Sequence, residues 1–226
     1  MKIKSILVSI AVLISAVSMA QGNSSFGIRA GINFQNINGK DNDGNKLENT
    51  LTTGFNAGIN GELPVGADFY LQPGVLFSIK GAKLKNYGYM GRVMNGTLKL
   101  SYVEIPINLI YKPVLGNGRM LLGFGPYIAF GIGGEGEVTN PSPTTDYNVE
   151  YKKDATTADI TSTPFYYKPM DAGANILVGY EFGSNLSFQL NSQLGLSKIN
   201  SKLNGSHTGE AAHRNTGFGL SIGYRF

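Results

Sequence analysis

The sequence predicts an all-β chain: an eight-stranded antiparallel transmembrane β-barrel with long extracellular loops and short periplasmic turns. Three observations carry this. Eight segments alternate apolar and polar residues with period two, and no helical periodicity of any length follows the first twenty residues. The apolar face of every segment is free of charge. The links between segments alternate long and tight, as in outer-membrane barrels, whose short turns lie on the periplasmic side.

Taken in chain order, the first segment sets Phe26, Ile28, Ala30, Ile32 and Phe34 against Gly27, Arg29, Gly31, Asn33 and Gln35. The second sets Phe55, Ala57, Ile59 and Leu63 against Gly54, Asn56, Gly58, Asn60 and Glu62. The third opposes Phe69, Leu71, Val75, Phe77 and Ile79 to Tyr70, Gln72, Gly74, Ser78 and Lys80. In the fourth, Val103, Ile105, Ile107, Leu109 and Tyr111 oppose Tyr102, Glu104, Pro106 and Asn108. The fifth runs from Met120 to Ile132 and the sixth from Ala172 to Phe182. Leu186–Ser197 and Thr216–Phe226 complete the set. The long links fall at about Asn38–Leu51, Lys85–Leu98, Gly136–Pro164 and Ser201–Ala212. The tight ones are Pro64–Asp68, Pro113–Gly118 and Gly183–Asn185. An even strand count places both chain ends in the periplasm. The first and last strands must pair, because no strand edge is tolerated in hydrocarbon.

A soluble sandwich or lipocalin-like barrel would also carry one apolar face. Its polar face would meet water and carry many lysines and glutamates. Here that face is mostly small and amide side chains, which suit the crowded interior of an eight-strand barrel. Isolated charges occur there at Arg29, Glu62, Lys80, Glu104, Glu181 and Arg225. An unpaired charge in so tight a lumen is expensive, so these six are expected to form a neutralising network. Arg29, Glu62, Glu181 and Arg225 are expected to pair near the periplasmic end, with Lys80 and Glu104 higher up.

Composition agrees. Only 15% of the 226 residues are charged and 31 are glycine, against about 25% and 7% in soluble domains. The absence of cysteine excludes disulfides, thiolate metal sites, a cysteine nucleophile and a lipoprotein anchor. A net charge of +4, to which Lys2 and Lys4 contribute, is too small for a nucleic-acid binder. Residues 1–20 read as a signal peptide: two lysines, then uncharged Ile6–Ala20, ending in Ser18-Met19-Ala20. An anchor helix is the alternative, but the apolar run falls short of the roughly twenty residues needed to cross a bilayer. Residues 21–226 then form one barrel domain.

Tyr102-Val103-Glu104-Ile105-Pro106, Gly123-Phe124-Gly125-Pro126-Tyr127-Ile128-Ala129, Gly179-Tyr180-Glu181-Phe182 and the closing Asn215–Phe226 resemble the outer-membrane β-barrel family common in Bacteroidetes. That family includes an accessory protein of the type IX secretion system. The resemblance implies an OmpA-like fold and brings no catalytic residues. Ile222, Tyr224 and terminal Phe226 resemble the signal by which the barrel-assembly machinery recognises its clients. The alternative is that Phe226 simply anchors the interface.

Other motifs are weaker. Gly131-Ile132-Gly133-Gly134-Glu135-Gly136 matches a dinucleotide fingerprint but has no helix after it. Asp41-Asn42-Asp43-Gly44-Asn45 looks like a calcium loop, with its glycine too early and Glu48 at the eighth position, so a solvated turn is favoured. Ser206, His207, Glu210 and His213 share one expected outward loop and could in principle deacylate lipid, but nothing there fixes their geometry. The Gly136–Pro164 link, with Pro141 and Pro143, is expected to be an extended surface segment. The reading is a monomeric, non-enzymatic envelope protein without cofactor or metal, localised to the bacterial outer membrane. Expected partners are outer-membrane lipid and lipopolysaccharide, the barrel-assembly machinery and a protein at the exposed loops, with no nucleic acid. Its role would be envelope integrity, adhesion or secretion; a lipid-modifying enzyme and a narrow pore are the alternatives.

Overall fold

The computed structural model describes residues 24–89, 92–140, 144–156, 159, 165–203 and 211–226. The expected signal peptide lies outside them. Eight long strands carry the chain: β1 (Ser25–Lys40), β2 (Thr52–Pro64), β3 (Phe69–Tyr89), β4 (Arg92–Tyr111), β5 (Gly118–Asn140), β6 (Met170–Phe182), β7 (Leu186–Gly195) and β8 (Ala212–Arg225). Each pairs antiparallel with its sequence neighbours. β1 closes the ring on β8, from Gly27↔Arg225 to Lys40↔Ala212. No strand edge is left in the wall, which is the condition hydrocarbon imposes.

The outer wall of the tight-turn half is apolar. Phe124 is 62% exposed, Ile176 66% and Leu220 53%. Ile28, Ile32, Phe55, Phe188 and Ile222 are exposed with them. A band of this size would be unstable in water and is what a lipid-facing wall requires. Aromatic pairs across neighbouring strands rim it: Phe69 stacks on Tyr111 and Phe26 on Phe226 at one edge. Phe34 meets Phe218 and Phe55 meets Phe77 at the other. Ile222, Tyr224 and Phe226 all point outward in this band.

The strands run well past it. β3, β4 and β5 have 21, 20 and 23 residues, whereas about 9–11 suffice to span a bilayer. The expected Lys85–Leu98 loop is therefore corrected: β3 and β4 form one long hairpin through most of that stretch. Along β3, Ile79 points out and Lys80 in; two residues later Ala82 and Leu84 are buried inside while Lys83 and Lys85 are exposed. β4 mirrors this, with Leu98 and Leu100 inside and Lys99 outside. The polarity of the two faces inverts where lipid gives way to water, because apolar groups leave whichever side is wet. Gly81 sits at the inversion with φ +148°, and a Cβ there would collide with the Leu98 carbonyl.

The expected surface segment after β5 is also corrected. Thr145–Asn148 pairs with the β5 edge, and the chain beyond it turns into the barrel mouth. Val149 donates to the Gly134 carbonyl at 3.0 Å, and Glu150–Tyr151 pairs in parallel with Tyr166–Tyr167. Val149, Phe165 and Tyr167 are buried with Ile37, Leu84, Leu98, Leu100 and Ile199 in the main apolar core. Phe165 lies over Gly136, where a Cβ would overlap its ring. The described part of the long link is a plug.

Candidate functional site: the filled interior and its two charge levels

Inward alternation around the ring brings the lumenal charges together at two heights. Near the tight-turn end, Glu62 is the hub. Arg225 Nη2 reaches its Oε1 at 2.8 Å and Lys112 Nζ its Oε2 at 2.8 Å. Gln72 Nε2 donates to Oε1 at 3.0 Å. Lys112 also contacts Glu181 at 2.8 Å and lies 5.2 Å from the centre of the Tyr70 ring. Two cations and two carboxylates thus balance. The expectation placed Glu62, Glu181 and Arg225 here but missed Lys112, which bridges them.

Arg29 was expected in this group and is not. It faces the middle of the lumen, with Nη1 3.4 Å from Gln189 Oε1 and 3.5 Å from Asn191 Oδ1. Its partner on β8 is Gly223, and the next inward place on β1 toward the tight-turn end is Gly27, opposite Arg225 itself. Glycine there leaves the space that the Arg225 guanidinium fills.

The upper level centres on Lys80, whose Nζ lies 2.9 Å from Glu104 Oε2 and 3.5 Å from Asp171 Oδ2. Asp171, also missed, accepts from Tyr127 Oη at 3.2 Å, Asn215 Nδ2 at 3.0 Å and Ser197 Oγ at 3.0 Å. Gln193 donates to Glu104, and the Lys80 ammonium sits 4.1 Å from the Tyr127 ring centre. Fully buried carboxylates demand such saturation, since an ion without partners inside the wall is strongly destabilising.

Between the two levels, on the β4–β6 side of the lumen, Ile110, Leu121 and Leu177 pack together as a small apolar cluster with Tyr70 against it. Above it, Arg29, Asn33, Ser78 and Glu104 border a polar cavity of about 30 Å³, large enough to hold water. The upper half is closed by the plug. Ion pairs, buried amides, a small apolar cluster and a folded loop therefore fill the bore.

Of the four residues weighed for a serine–histidine–acid set, only His213 is described. Ser206, His207 and Glu210 lie outside the described residues. His213 is on β8, buried, with its ring 6.4 Å from that of Tyr167 and its amide donating to Asn200 Oδ1 at 3.1 Å. Burial pushes its pKa down to about 4, against a smaller opposing pull from the Asp41 charge. Neutral His213 is the native form, so stability is present above about pH 6.5 and falls as the pH drops towards 4, by about 3 kcal/mol in all. Urea midpoints of vesicle-embedded protein at pH 7.5 and 4.5 measure this. His213→Leu should flatten the difference; an unchanged pH dependence would refute it.

Among the described residues no group of three or more histidine, aspartate or glutamate side chains could hold a metal. In the Asp41–Asn45 turn, Asp41 Oδ1 is occupied by the amides of Asp43 at 3.0 Å and Asn45 at 2.8 Å, an Asx turn rather than an open ligand set. Gly131–Gly136 runs inside β5, which continues as strand to Asn140 instead of turning into a helix.

A family model described as "Outer membrane protein beta-barrel domain" matches residues 19–201. No curated protein matches the chain. Similar solved structures include the outer membrane protein OprG from Pseudomonas aeruginosa, at 12% identity over 90% of this chain and 96% of that one, with TM-score 0.49. A major outer membrane protein from Thermus thermophilus is 15% identical over 91% and 100%, with TM-score 0.45. The attachment invasion locus protein Ail of Yersinia pestis is 13% identical over 91% and 100%, with TM-score 0.38. The family match over most of the chain, on a closed eight-strand ring with an apolar outer band, places the protein in the outer membrane protein beta-barrel domain family.

Proposed function

We propose that this is a non-enzymatic, non-conducting interaction protein of the outer membrane. Its chain ends lie on the periplasmic side, and the extended β3–β4 hairpin and the plugged mouth face outward as the working surface. One observation supports this above the others: the lumen is filled by two levels of paired charge, the Ile110–Leu121–Leu177 cluster and the plug. An aqueous bore needs more strands than eight. Envelope integrity, adhesion and an accessory role in secretion are all compatible with a rigid wall that carries its outer end well clear of the bilayer. The protein acts as a monomer surrounded by outer-membrane lipid and lipopolysaccharide, with a protein partner at the long-loop end. Ile222, Tyr224 and Phe226 serve the assembly machinery as well as the interface.

Single-channel recording in planar bilayers tests the closed lumen. Wild-type protein should give no resolved conductance steps at moderate voltage, and a steady ohmic conductance would overturn the proposal.

A further inference from the structure

Basic residues gather on one side of the wall immediately above the apolar band. Lys168 precedes exposed Met170 at the start of β6 by two positions, and Lys198 follows exposed Leu196 beyond β7 by two. On β8, Arg214 stands above Thr216 and Phe218 in the same outward phase, its Nε donating to the Leu196 carbonyl at 3.3 Å. The Lys168 ammonium donates to the Lys198 carbonyl at 3.2 Å. Lys202 and Lys153 join through the backbone bond from Lys202 N to the Lys153 carbonyl at 3.0 Å.

Partial burial lowers the pKa of Lys168, and the charges of Lys202, Lys198 and Lys153 lower it further, while Asp154 is the one carboxylate opposing them. None of the five cations has an ion pair with a carboxylate among the described residues. Inside the lumen Lys80, Lys112 and Arg225 are each paired with carboxylates, whereas here like charges are packed together above the apolar band. Aliphatic lysine stems can cover apolar surface while their charged heads stay in the polar phase. Three adjacent strand lines at about 4.8 Å spacing spread the charges over roughly 10 Å, wider than a single phosphate.

We propose that Lys168, Lys198, Lys202 and Arg214 seat the headgroup of a lipid bearing more than one phosphate, its acyl chains lying against the outer faces of β6, β7 and β8. The site deepens the proposed function, resting on the long-loop end facing outward. It commits to a lipid, because the cationic collar is continuous with apolar wall below it.

The test titrates the detergent-solubilised full chain with bisphosphorylated lipid A, read by native mass spectrometry. Lys168→Gln/Lys198→Gln/Lys202→Gln should weaken binding about a hundredfold. Lys83→Gln/Lys99→Gln, on the far wall, should leave it unchanged. Heat-modified gel mobility verifies that both variants are folded. Equal binding by the triple variant, equal binding of dephosphorylated lipid A, or equally tight binding of inorganic pyrophosphate would each overturn the lipid site. Orientation is read separately and cleanly, since the chain has no cysteine. Asn42→Cys should react with an impermeant maleimide on intact cells; failure there would sink the outward reading without touching the detergent result.

Discussion

Lys112→Met is expected to destabilise the barrel by about 3–5 kcal/mol, the loss typical of removing one partner from a buried ion network. Lys112 Nζ stands 2.8 Å from carboxylate oxygens of both Glu62 and Glu181. Without it, Arg225 balances only Glu62, and the Glu181 carboxylate faces another negative charge inside the wall. The methionine fills nearly the same volume, so the loss reads charge rather than packing. Lys112→Met/Glu181→Gln restores neutrality around the surviving Arg225–Glu62 pair at 2.8 Å and should recover most of the stability. Urea unfolding in phospholipid vesicles, followed by the shift in gel mobility of the folded form, measures both. A single variant that unfolds at the wild-type midpoint would show that water reaches these groups and that the network is not a buried one.

The second large effect is at the mouth. Phe165→Ala should cost about 3–5 kcal/mol, as for other fully buried phenylalanines. The ring contacts Gly136 and packs against Tyr87 and Tyr147, so its loss uncouples the plug from the β3 and β5 extensions. The lower barrel keeps its own ion network and apolar cluster, so unfolding should lose cooperativity. Proteolysis should then cut the 140–169 segment while leaving a membrane-protected fragment. Phe165→Leu, which keeps much of the volume, should lie between the two. A plug equally resistant to protease in Phe165→Ala would show that backbone pairing alone, Glu150–Tyr151 with Tyr166–Tyr167, holds it.

The lumenal charges show how far alternation can be read. Glu62, Lys80, Glu104, Glu181 and Arg225 are legible as inward positions because each has at least one apolar neighbour facing the other way. Lys112 and Asp171 obey the same rule. Lys112 follows Asn108 and Ile110 on the inward phase of the β4 line, and Asp171 precedes Gly173 and Asn175 on that of β6. Extending each segment by one residue would have found them. Arg29 was misplaced for another reason: which inward residues meet depends on the stagger of the strands around the ring, and alternation along one strand contains no stagger.

Strand number, closure, the lipid-facing side and the polar character of the lumen were determined by the sequence alone, because a membrane wall forces period two and tolerates no charge on its outer face. The tertiary structure alone decided the strand extensions, the plug and the pairing of charges across the bore. Above the bilayer the solvent changes sides, so the apolar set jumps from the outer to the inner face and one continuous pattern ceases to exist. Burial inside the mouth is supplied by residues more than forty positions apart, such as Leu98 and Val149, whose shared core is created only when the ring closes around them.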